Sequence, residues 1–159
     1  MSTSFDIFST YSQIAIFDPS LQNPFNNWQP QHFAQGFAWR PGSVSFRTLD
    51  EDGLLRVEVQ IVNEINLRSN TKRAILVPFS VGSSALVEVA SIYEGKQINV
   101  PKGSYALVFE TGHGSNGTAW CSFSFIPRDS VQAEILQADS DLSPSFPLLM
   151  EAHPACGPE

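Results

Sequence analysis

The chain is poor in the residues that small folds use for staples and metals: it has 2 Cys and 3 His in 159 residues. Cys121 and Cys156 lie far apart with no C-x-x-C spacing, so no disulfide framework or zinc site is indicated, and neither a metal nor a cofactor is expected. Long apolar runs are missing too, and nothing approaches the roughly 20 residues a membrane helix needs. The opening MSTSFDIFSTYSQ has neither a basic n-region nor an apolar h-region, so it does not read as a secretory signal, and a cytoplasmic location is expected. Positive charge is scarce: 9 Lys and Arg against 16 Asp and Glu give a formal net charge of −7. A direct nucleic-acid binder needs a basic stripe with interleaved aromatics. Arg68, Lys72 and Arg73 around SNTKR are too small a cluster in so acidic a chain and read as a solvated loop. Contact with nucleic acid or membrane is therefore not expected.

The acidity is uneven. All 9 basic residues lie at or before Arg128, and from Asp129 onward there are six acids and no Lys or Arg. Such a segment repels nucleic acid and attracts basic surfaces.

What the chain has in quantity is apolar content and turn chemistry. At 42% apolar residues with 12 Phe, it can build one core, burying roughly two thirds of its unfolded surface. Short runs alternate with period two between Gly, Pro, Asn and Asp clusters, which is the pattern of an all-β antiparallel sandwich of about eight or nine strands. Strands are expected over residues 13–17, 43–49, 54–62, 73–79, 85–93, 97–100, 105–111, 119–126 and 131–136. Asp52-Gly53 reads as a hairpin signal, and Pro101 and Gly103 fit a type I turn. AILVPF, residues 74–79, is apolar on both faces like a central strand, yet Pro78 cannot donate to a ladder and marks an edge or bulge. One short helix is expected over residues 30–35, with Pro30 in its first turn and Gly36 just past its end. Residues 1–138 then form the sandwich, and residues 139–159 an acidic, Pro-rich tail, extended or disordered. Inside that tail the apolar strip FPLLM, residues 146–150, either packs back on the body or docks on a partner.

Chemistry is hard to find. Gly112, Gly114 and Gly117 in ETGHGSNGTAW have the G-x-G-x-x-G spacing of a dinucleotide loop. That motif works between a strand and a helix, whereas the downstream stretch AWCSFSFIP alternates like a second strand; the glycines read as a hairpin tip. Cys121 and His113 flank the tip as a minimal nucleophile and base, but Cys121 shares a face with Phe123 and Phe125 and reads as an inert core thiol. Asp50, Glu51 and Asp52 open like a calcium loop, but Gly53 comes at once and no later Glu completes it. No enzyme activity is expected.

Three stretches carry a resemblance: NWQPQHFAQGFAWRPGSVSF at residues 27–46, LVPFSV at 76–81 and INVPKGSYALVFET at 98–111. In order and spacing they resemble the competence J family, inhibitors of a DNA-entry nuclease. The resemblance implies a β-sandwich that binds and silences a cognate nuclease, of the DNA-entry or the toxin type. It carries over no contact residues. Charge alone nominates Glu134, Asp139 and Asp141, with Asp50, Glu51 and Asp52, as carboxylates able to occupy a phosphate-binding groove. The alternative is a small-ligand-binding sandwich using exposed aromatics such as Trp28, Trp39 or Trp120.

Overall fold

The computed structural model describes residues 2–155, and over these the chain forms eleven strands and one short helix. In chain order the first half holds β1 (Ser2–Ser9), β2 (Gln13–Phe17), α1 (Pro30–Gln35), β3 (Phe37–Arg40), β4 (Ser43–Arg47) and β5 (Gly53–Ile61). The second half holds β6 (Thr71–Val81), β7 (Leu86–Ala90), β8 (Gly95–Asn99), β9 (Gly103–His113), β10 (Ala119–Pro127) and β11 (Glu134–Gln137). A six-stranded sheet runs β1-β5-β10-β9-β6-β11, and a five-stranded sheet runs β3-β4-β2-β7-β8.

Period-two alternation builds the core. Leu55, Val57 and Val59 of β5, Leu107 and Phe109 of β9, and Cys121, Phe123 and Phe125 of β10 share one buried cluster with Ile14, Ile16, Val44, Phe46, Val87 and Val89 of the other sheet. Phe46 stacks on Phe109 with ring centroids 4.5 Å apart, and Phe123 packs beside both. Truncating any of these rings to Ala would cost about 3–5 kcal/mol.

The all-β class and the helix agree with the sequence reading, and three details differ. There are eleven strands rather than eight or nine, the additional two being β1 and β3. One pairing, β5 with β10, is parallel, running from Leu55↔Ala119 to Ile61↔Phe125. Alternation fixes which face a side chain takes, not the direction of the strand, which comes from the connections. Asp52-Gly53 does not close a hairpin: β4 and β5 belong to different sheets, and the turn carries the chain between them. The hairpin expected at Gly112–Gly117 is present, with Gly117 at φ 82° and its N–H donating to the Gly114 carbonyl at 2.9 Å.

Pro78 also finds its explanation. β11 pairs with β6 only around residues 74–76, so β6 is an edge beyond that point. The Pro78 carbonyl accepts from Trp39 Nε1 at 2.8 Å, on the side away from β9, and a ring nitrogen facing that way forfeits no ladder bond.

Residues 139–155 run along α1 and the loop before it. Ser143 N–H donates to the Ala34 carbonyl, Asn27 N–H to His153 and Ala155 N–H to Phe25, at 2.8–2.9 Å. Buried Gln35 holds Leu149 from both sides, donating to its carbonyl and accepting from its N–H, each at 2.9 Å. The fully buried His32 accepts the Gln29 N–H on Nδ1, so Nε2 carries the proton and donates to the Glu151 carbonyl at 2.8 Å. Of the FPLLM strip, Leu148 and Met150 pack against the core while Phe146 is 74% exposed. Cys156 lies outside the described residues.

Candidate partner-binding surface

Three loops gather at one end of the body: residues 10–12 between β1 and β2, 48–52 between β4 and β5, and 91–94 between β7 and β8. The first two are tied together, Ser12 N–H donating to the Glu51 carbonyl at 2.8 Å and Thr48 N–H to the Ser12 carbonyl at 2.9 Å. Thr48 Oγ1 donates to the Asp50 carbonyl at 2.7 Å and shapes the acidic turn. The third loop joins through Glu94, whose Oε1 accepts the Phe8 N–H at 3.0 Å. These bonds fix the backbone and leave side chains outside. Among the described residues eight large apolar side chains are exposed, and five of them, Phe8, Tyr11, Leu54, Ile92 and Tyr93, lie at this end. Phe8 faces Leu54 directly in the β1–β5 register.

The carboxylates nominated from the sequence fall in three settings. Asp50, Glu51 and Asp52 are exposed on the 48–52 turn. Asp50 sits 3.2 Å from His113 Nε2, and His113 Nδ1 lies 3.1 Å from Lys72 Nζ. Asp139 is different: its two oxygens take Arg73 Nε and Nη2 at 2.8 and 2.9 Å, and the Arg73 side chain is only 1% exposed. Burial alone would raise the Asp139 carboxyl, but the Arg73 hydrogen bonds and charge, with the N–H groups of Asp139 and Asp141, hold it below the usual carboxylate range. Its charge is committed inside the protein. Arg73 Nη1 also donates to the Arg47 and Thr48 carbonyls, and Arg47 Nη1 donates to the Asp141 carbonyl at 3.0 Å. Asp139 and the exposed Asp141 are thereby anchored to the root of the 48–52 turn. Glu134 is exposed on the edge strand β11, opposite Leu76, apart from the others.

The Cys121–His113 pair does not assemble. Cys121 is 1% exposed within the core, where burial pushes its thiol far up, and His113 faces Asp50 and Lys72 instead. The three tryptophans are not exposed platforms either. Trp120 is buried beneath the Arg68 guanidinium, 4.4 Å from its ring. Trp28 and Trp39 are half-buried, their N–H groups donating to Gln13 Oε1 and the Pro78 carbonyl. The exposed aromatics are others, which the sequence reading missed. Part of the signal was there: Phe8 shares the outward phase of Asp6, and Leu54 that of Arg56 and Glu58.

A two-sheet β body whose exposed apolar side chains cluster with carboxylates on loops has the makings of a protein that works by surface contact with another macromolecule. The chain belongs to the competence protein J (ComJ) family, whose model matches residues 6–126. Among solved structures it is similar to ComJ from Bacillus subtilis, an inhibitor of the DNA-degrading activity of NucA, at 18% identity and a TM-score of 0.68, covering 79% of this chain and 96% of that one. It is also similar to the product of crocagin biosynthetic gene J, at 14% identity and a TM-score of 0.55, covering 80% and 97%. The comparison with curated proteins gave no match.

Proposed function

We propose that this chain is an inhibitor of a cognate DNA-degrading nuclease and acts by covering the surface on which that enzyme holds DNA. Membership of the competence protein J family carries the proposal. In this reading the two sheets form a β-sandwich inhibitor body over residues 1–138, residues 139–159 are its acidic appendage, and the complex forms in the cytoplasm. An enzyme that grips DNA must neutralise phosphates with Lys and Arg. Asp50, Glu51, Asp52 and Asp141 offer negative charge from one end of the body, with Glu134 on a separate edge. Asp139 contributes by holding the 137–143 segment in place through Arg73. No chemistry is required of the inhibitor.

The test uses the NucA-type nuclease of the same host. The wild-type chain should stop plasmid degradation at stoichiometric amounts. Replacing Asp50, Glu51 and Asp52 together by Asn, Gln and Asn should slow association by about 10-fold at low salt and flatten its salt dependence, because charge outside the desolvated centre acts mainly on encounter. A wild-type chain that leaves plasmid degradation untouched refutes the inhibitor reading. Unchanged association kinetics in the triple variant refute the charge assignment.

A further inference from the structure

We propose that Tyr11, with Phe8 and Leu54 beside it, is the apolar anchor by which this chain grips a basic protein partner, namely the nuclease; this rests on the inhibitor reading above. The observation behind it is the turn itself. Tyr11 and Ser12 are both left-handed, at φ 57° and 56°, between Thr10 and Gln13, whose N–H donates to the Thr10 carbonyl at 3.3 Å. Such a turn is ordinarily built with Asn-Gly, because in this region an L side chain crowds its own backbone. Here it carries a tyrosine, and the fold gets little packing in exchange: Tyr11 is 69% exposed. A residue poorly suited to its backbone and unburied by the fold is not explained by folding, and such places are where function is found. Tyrosine is a rigid, amphipathic side chain that loses little freedom on binding and is enriched among the residues dominating interface energy.

The surroundings define the occupant. Phe8 is 47% and Leu54 56% exposed, and the two face each other in the β1–β5 register just before the turn that carries Tyr11. Around it stand Glu51, Asp52 and Glu94, the last held in place by the Phe8 N–H. The bases around this end are already engaged: Arg56 pairs with Asp6 at 3.2 Å, Lys96 lies over the Phe5 ring, Arg47 over the Phe33 ring, and Lys72 stands 3.1 Å from His113, itself beside Asp50. An apolar centre rimmed by carboxylates fits a basic surface with an apolar depression. A second copy of the chain fits it poorly, since a two-fold contact would set the acidic rims against each other in a protein of net charge −7.

Tyr11→Asn separates function from structure, because Asn tolerates the left-handed region better than Tyr. The variant should unfold at the same temperature as wild type or higher, while its affinity for the host's NucA-type nuclease falls about 30-fold, chiefly through faster dissociation. Tyr11→Phe should restore most of the affinity. Wild-type inhibition retained in full by Tyr11→Asn overturns the anchor and leaves the inhibitor reading standing. So does a lower unfolding temperature with unchanged dissociation, which would mark Tyr11 as structural. A wild-type dimer in sedimentation that Tyr11→Asn dissolves overturns it in favour of self-association. A wild-type chain that fails to inhibit removes the inhibitor reading and this inference with it.

Discussion

Replacing Asp139 by Asn should destabilise the protein markedly without touching any exposed surface. Arg73 is fully buried, and its guanidinium is satisfied by four contacts: two to Asp139 and one each to the carbonyls of Arg47 and Thr48. An Asn leaves one good acceptor where two ionised oxygens stood and removes the balancing charge. Breaking a buried pair from one side costs about 3–5 kcal/mol when no water can reach it. The Asp139 side chain is 16% exposed, so partial hydration lowers the expected loss to about 2–4 kcal/mol. For a domain of this size that is a fall of roughly 4–16 °C in unfolding temperature. The pH dependence has a definite sign. The folded carboxyl lies below its ordinary value of 3.8, so the stability it contributes is fully present above that value and is lost as pH falls through the folded pKa. Thermal unfolding followed by circular dichroism should show a constant gap between wild type and Asp139→Asn from pH 7 to about 5, narrowing below about 4. The double variant Arg73→Leu/Asp139→Leu should recover much of the loss, since an apolar pair carries no unpaired buried charge. Equal stability of wild type and Asp139→Asn, or a gap that persists undiminished in acid, refutes the assignment of Arg73–Asp139 as a structural ion pair.

Two further outcomes are expected. Cys121 should resist alkylation in the native protein at mildly alkaline pH and react on unfolding, read by peptide mass spectrometry, and Cys121→Ser should cost about 1–3 kcal/mol while inhibition persists; loss of inhibition in a folded Cys121→Ser protein would reopen the catalytic reading. Truncation after Leu142 should lower stability by roughly 3 kcal/mol, because it strips buried His32 and Gln35 of their partners and uncovers the core beside Leu148 and Met150; full stability of the truncated chain would show that the strip does not hold the body.

The fold class was legible because alternation survives in almost every strand, and α1 because Pro30 and Gly36 bracket it. β1 was readable in principle, with Phe5 and Ile7 inward against Asp6 and Phe8 outward, but it lacks a turn signal ahead of it. β3 is four residues between a helix cap and a Gly turn, too short for periodicity to show. The parallel β5–β10 pair and the crossing at Asp52-Gly53 depend on long-range topology, which no local pattern encodes. The candidate site was half legible. Charge marked the carboxylates, but it did not distinguish Asp139, committed to a buried Arg, from its neighbour Asp141, because that difference is made by a strand 66 residues away. Tyr11 could not be told from the many aromatic residues that fill the core, since its left-handed backbone is a property of the turn and not of the residue.

The way the two sheets are closed limits how such a protein can bind. An open sheet edge invites a partner strand. On one flank β1 and β8 are the outermost strands, and side chains of the segment leading from β7 into β8 lie across β1: Glu94 takes the Phe8 N–H and Lys96 covers the Phe5 ring. On the other flank β3 and β11 are outermost, and Trp39 and the 139–155 segment lie over the gap, with Leu148 and Met150 packed on the core beside Ile135. Strand addition to β1 is thus obstructed by contacts within the chain. Among the described residues, the end formed by residues 10–12, 48–52 and 91–94 is where exposed apolar side chains and carboxylates coincide. If the nuclease is met on this loop end, as proposed above, affinity should respond to single substitutions on those loops far more than to changes along the sheet edges.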